Sequence, residues 1–284
     1  MESVQPISID ALVSRYEVLL LDAYGVLVHS TGALPGAIDL THRLQALRKP
    51  FFVLTNDASK LPMTAAEQFQ RYGLAVEADY IITSGSLLTD YFRTHGLHGA
   101  SCVVLGPADS ARYVELAGGR VVRAGESFDV LVVADESGFP FLDTLDAVLS
   151  SLCKALEEGR SLHLILPNPD LIYPKAHGEF GVAAGSIATM LESALSARYP
   201  LRSDLRFARL GKPHSALFSE ALRRSGTRNM VMVGDQLETD IKGAAGFGID
   251  SAWISSAVTA NGALPLDIRP TFRLLTLESN PPIT

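Results

Sequence analysis

Two periods alternate along this chain. Short continuous apolar runs, too short for helices and rich in branched side chains, are separated by longer stretches whose apolar residues recur every three or four positions. The runs predict strands at residues 18–21, 51–54, 80–83, 102–105, 130–134, 162–166, 230–233 and 251–254, the last expected to close the core. The stripes predict helices at 8–16, 37–47, 64–72, 86–95, 110–117, 142–158, 186–199 and 213–224. In the third helix Thr64 is the expected cap, with Glu67 completing a capping box and Gly73 at the end; Pro213 suits the first position of the last helix. Strands taking turns with helices imply an α/β fold on parallel sheet. Residues 168–185 read as one long irregular stretch, of the kind that carries function or moves, and beyond about residue 257 the pattern is uninformative.

Composition narrows the class. The chain has 284 residues, enough for one large or two medium domains, and 47% are hydrophobic, yet no segment approaches the roughly 20 apolar residues of a membrane span. The first residues lack a basic region followed by an apolar core, so a cytoplasmic protein is the expectation. Cys102 and Cys153 make no disulfide framework and have no zinc-ligand neighbours, and both read as buried small apolar residues. Twenty-four basic against 31 acidic residues leave a formal charge of −7 with no basic cluster, which argues against nucleic acid as a partner. A small phosphorylated molecule is compatible, since one Lys and a few backbone N–H groups suffice to hold one phosphate.

Four polar clusters stand at strand ends or helix starts: Asp22, Thr55-Asn56-Asp57, Lys212, and Asp235 with Asp240. Each alone reads as ordinary turn chemistry. Together they are more specific, because carboxylates at the ends of different strands can share a hard divalent cation such as Mg²⁺. A Thr hydroxyl, adjacent N–H groups and a Lys ammonium can hold phosphate oxygens.

The runs Leu20-Leu21-Asp22-Ala23-Tyr24-Gly25-Val26, Leu54-Thr55-Asn56-Asp57-Ala58-Ser59, Asn168-Pro169-Asp170, Leu210-Gly211-Lys212-Pro213 and Val233-Gly234-Asp235-Gln236-Leu237-Glu238-Thr239-Asp240 resemble, in order and context, the haloacid dehalogenase (HAD) superfamily. The resemblance is to class IIA, with a C2-type α/β cap inserted between the second and third motifs, a branch of 4-nitrophenyl phosphate, phosphoglycolate, pyridoxal phosphate and sugar phosphatases. It implies a Rossmann-like, doubly wound core from residues 1–85 and 207–284, with the cap at 86–206. It implies that Asp22 is a nucleophile forming an aspartyl phosphate, that Thr55, Asn56 and Lys212 hold the phosphoryl group, and that Mg²⁺ binds Asp22, the Tyr24 carbonyl and Asp235, with Asp240 behind. Asn168, Asp170, Tyr173, Lys175 and His177 are the implied substrate contacts of the cap, and caps of this type often support homodimers.

One departure stands beside the nucleophile. The family's phosphatases usually carry a second Asp two residues after the first, as proton donor to the leaving group and base for water; here that residue is Tyr24. General acid–base catalysis is worth about 10²–10⁴-fold, and a Tyr donates but makes a poor base at neutral pH. Asp57, where the family commonly has Asn or Ser, is a candidate replacement whose alternative role is a cap for the next segment; His29 is a weaker one. The expected function is a Mg²⁺-dependent phosphatase of small monoesters such as aryl or sugar phosphates. The alternative is a phosphometabolite-binding or regulatory protein that has lost turnover at Tyr24.

Overall fold

The computed structural model describes residues 4–175, 179–255 and 268–279. Its larger sheet has seven parallel strands in the order Gln5–Ile7, Phe272–Leu274, Asp250–Ile254, Met230–Gly234, Val18–Asp22, Phe51–Thr55 and Ile81–Thr83. Val18–Asp22 is buried at every position: Leu19 and Leu21 enter one apolar cluster, Val18 and Leu20 the cluster on the opposite face. Helices covering both faces explain why this strand reads as a continuous apolar run rather than an alternation.

A second sheet, also parallel, has the order Ala208–Arg209, His163–Leu166, Val130–Val133, Ser101–Leu105 and Arg120–Val121. Val130, Val132 and Ile165 share one apolar cluster with Leu20 and Leu54 of the larger sheet. Leu131, Val133 and Leu164 pack on the other face against Leu145, Leu152, Ile187 and Leu191. Apolar packing therefore runs unbroken from one sheet to the other. The α/β class read from the alternation is the observed one, and no helix among the described residues is long and apolar enough to cross a membrane.

Several local expectations are corrected. The third helix is Pro62–Arg71, with Leu61 at its cap position and no capping side chain of its own. Instead Asp109, from a distant helix, accepts both the Leu61 N–H and the Thr64 hydroxyl. A tertiary carboxylate thus supplies what a local capping box was expected to supply. The last long helix is Ala216–Ser225, because residues 211–214 first close a turn with His214 N–H on Gly211 O. The stretch 168–185 is not wholly irregular: Ile172–Pro174 and Phe180–Val182 pair as an antiparallel hairpin, and the next helix starts at Ala184. Residues 251–254 do not close the core, since Phe272–Leu274 and Gln5–Ile7 lie outside them. Cys102 is buried as expected, but Cys153 is only partly covered.

The site follows from one feature of the topology. Val18–Asp22 lies between Phe51–Thr55 and Met230–Gly234, and the chain order reverses between the first and the last of these. Open α/β sheets bind ligands at that switch point, outside the carboxyl ends of the strands, where Asp22, Thr55 and Asp235 stand.

Candidate active site

At the switch point the Lys212 ammonium is buried and donates to Asp22 Oδ1, to Asp240 Oδ1 at 2.7 Å and to the Leu54 carbonyl at 3.1 Å. Burial on its own lowers a lysine pKa; Asp22 and Asp240 outweigh it and hold Lys212 above its usual range, fully charged. The Asp22 carboxyl is pushed up by burial and by Asp240 and Asp235, with Lys212 opposing.

Asp22, Asp235 and Asp240 are all buried, and each brings a carboxylate oxygen within 4.8 Å of the others. Three buried carboxylates around one ammonium leave an excess of negative charge that low-dielectric surroundings penalise, and a hard cation taking oxygen ligands relieves it. The backbone is shaped to the same end. A Cβ added at Gly25, whose φ is +94°, would sit 2.3 Å from Asp235 Oδ2, so only glycine lets the loop after the nucleophile wrap that carboxylate. Asp240 is held by the Gln236 N–H on its second oxygen, within a short π-helical turn at Leu237–Ile241. These residues fit a divalent metal.

Around this pit lies a cavity of about 430 Å³, lined by Asp22, Tyr24, Thr55, Asn56, Asp57, Asn168, Asp170, Tyr173 and Lys212 among others. The structure thus brings together most of the residues singled out from sequence. Lys175 is exposed beside it, its ammonium 5.6 Å from the centre of the Tyr173 ring, and His177 lies outside the described residues.

Three of these residues are used in ways the sequence did not suggest, and a fourth, Asp57, takes the capping role that was its alternative reading. The Asn56 carboxamide is occupied as a brace: Oδ1 accepts from Lys212 N–H at 2.7 Å, and Nδ2 donates to Lys212 O and to Asp170 Oδ1. A Cβ at Gly211 would meet Asn56 Oδ1 at 2.6 Å, so this close approach also requires glycine. Asp170 is half-buried, and desolvation raises its pKa against the opposing hydrogen bond from Asn56. Asp57 accepts from the Ser59 N–H and hydroxyl on one oxygen and from Lys60 Nζ at 2.9 Å on the other, which is the capping arrangement. The Tyr24 hydroxyl donates to the Pro174 carbonyl at 3.2 Å, across to the hairpin, and its ring lies 5.3 Å from that of His29.

Sequence reasoning missed Asp135, Glu136 and Ser137, which line the same cavity from the loop after Val130–Val133. The signal was the one that found Asp22, polar residues where a buried strand ends.

A haloacid dehalogenase-like hydrolase family model matches residues 19–120, and a HAD-hydrolase-like model matches 209–278. A crystal structure described as a possible sugar phosphatase of the HAD superfamily, from Cytophaga hutchinsonii, is 30% identical, covers 98% of this chain and 100% of its own, and superposes with a TM-score of 0.81. A dihydroxyacetone phosphatase of Corynebacterium glutamicum is 25% identical over 255 residues, 89% of this chain and 86% of the relative. An acid sugar phosphatase of Staphylococcus epidermidis is 23% identical over 261 residues, 91% and 94% of the two chains.

Proposed function

The chain belongs to the haloacid dehalogenase superfamily, and on that premise we propose that it is a Mg²⁺-dependent phosphatase of small monoesters, sugar or aryl phosphates among them, acting through an aspartyl phosphate on Asp22. The observation that carries this reading is the buried pit, in which one strand-end carboxylate is paired with Lys212 and converges with Asp235 and Asp240.

In the first step an Asp22 oxygen attacks phosphorus and the ester oxygen leaves. In the second, water attacks the same phosphorus and frees Asp22. Splitting one displacement in two is the advantage of covalent catalysis. Lys212, the Thr55 hydroxyl and the backbone N–H of Asn56 hold the phosphoryl oxygens, the Asn56 side chain being the brace that sets Lys212. Asp22, the Tyr24 carbonyl, Asp235 and Asp240 would hold the metal, which when bound offsets the repulsion between carboxylate and phosphate. Residues 86–206 act as the cap, excluding water and selecting substrate, with Asn168, Asp170, Tyr173, Lys175 and His177 as its contacts. The Tyr24 hydroxyl, bonded to Pro174, ties the loop of the nucleophile to that cap.

The test is Asp22→Asn on 4-nitrophenyl phosphate with and without Mg²⁺. Hydrolysis is expected to fall by several orders of magnitude, as when a nucleophile is removed. Metal-dependent activity that survives the substitution overturns the reading.

A further inference from the structure

With Tyr24 in place of the usual second Asp, the leaving oxygen lacks an obvious proton donor, and the groups around the cavity can be sorted by what already holds them. Lys212 is bonded to two carboxylates. Asp57 is held by Ser59 and Lys60, and Asp135 by the Ser137 N–H and hydroxyl. Asp170 is held by Asn56, and the Tyr24 hydroxyl is directed at Pro174. Glu136 differs: it lines the cavity, it is half-buried, and its carboxyl is bonded by its own backbone N–H while, among the described residues, no neighbouring side chain holds it.

We propose that Glu136, on the cap side of the cavity, is the general acid and base of this enzyme, a role that rests on the phosphatase reading above. The glutamic acid proton passes to the ester oxygen as the phosphorus–oxygen bond breaks and the Asp22–phosphorus bond forms. The resulting carboxylate then takes a proton from water as its oxygen attacks phosphorus and Asp22 is released, which returns Glu136 to its acid form. Its surroundings suit the task. Burial, followed by the charges of Asp135 in its own loop and Asp57 across the cavity, pushes its pKa up to about 6, against Lys175 of the hairpin. An acid and base is most effective when its pKa lies near the working pH. Placing the donor on the cap also makes proton transfer depend on cap position, which a donor in the nucleophile's own loop would not.

The test compares two esters that differ in their need for a proton. 4-Nitrophenolate leaves without one, whereas the alkoxide of glycerol 3-phosphate does not. In Glu136→Gln, kcat/KM for glycerol 3-phosphate is expected to fall by about 10²–10⁴-fold while that for 4-nitrophenyl phosphate holds within a few-fold, because this ratio reports only the steps up to phosphorylation of Asp22. For the wild type, kcat/KM on the alkyl ester should decline as pH rises through about 6, since the acid form is lost, and the aryl ester should lack that limb. Glu136→Asp should restore part of the alkyl activity. Equal losses on both esters, no loss on either, or a wild type that hydrolyses only the aryl ester overturns the assignment. Those outcomes leave Asp22 chemistry standing, which the Asp22→Asn experiment tests separately.

Discussion

The two rims that face each other across the cavity are built on opposite plans. On one side Asp22, Asp235, Asp240 and Lys212 are all buried, Asp22 and Asp235 at the ends of neighbouring strands of the larger sheet and Lys212 bonded to Asp22 and Asp240. On the facing side Glu136 and Tyr173 are half-buried, and the hairpin exposes Leu171, Ile172, Phe180 and Val182. Charge developing at phosphorus is best stabilised by groups that need not reorganise, and burial enforces that. Selecting and covering a substrate needs a surface that can approach and withdraw. On the proposed reading, the buried rim handles charge and the more exposed one identity, with the Tyr24–Pro174 hydrogen bond joining the two.

Breaking the buried rim gives the largest effect after loss of Asp22 itself. Asp235→Asn should abolish Mg²⁺-dependent hydrolysis and, in chelator, melt no lower than wild type, because a like charge leaves a crowded pit. Thermal unfolding checks this without any turnover. Saturating Mg²⁺ should stabilise the wild type by about 2.7 kcal/mol at a hundredfold excess over Kd and leave the variant unmoved. A metal-induced rise that persists in the variant counts against Asp235 as a ligand.

Cutting the bridge comes next. Tyr24→Phe removes one hydrogen bond to the hairpin, worth about 0.5–1.5 kcal/mol, so KM should rise up to about tenfold with kcat on the alkyl ester preserved. A selective loss of kcat on the alkyl ester would instead make the Tyr24 hydroxyl the proton donor and displace Glu136.

The smallest effect belongs to Asp57. Its pair with Lys60 is partly exposed, and such pairs contribute about 0–1 kcal/mol. Asp57→Asn keeps an acceptor for Ser59, so kcat should match wild type, and the limb on the alkyl ester should move only slightly, to lower pH, because one of the charges that raise Glu136 is lost. A loss of kcat on the alkyl ester at every pH would return Asp57 to the chemistry.

Legibility from sequence tracked how local each cause was. The strand ending in Asp22 was readable because an unbroken apolar run has few ways to be buried, and the motif residues were readable because their types and order limit the chemistry available to them. Asp109 capping the helix after Leu61 was not, since that bond joins residues 48 apart. Nor were the outer strands Gln5–Ile7 and Phe272–Leu274, whose three residues each carry too little pattern to separate from loop.

The same division holds at the site. The sequence by itself determined the α/β class, the strand-end carboxylates and the substitution at Tyr24, because periodicity and side-chain chemistry are properties of the chain. Only the tertiary structure decided that the Asn56 side chain braces Lys212 and that Glu136, from the loop after Val130–Val133, lines the same cavity as Asp22. Both depend on which groups are brought together from distant parts of the chain, and that is set by how the two sheets pack against each other.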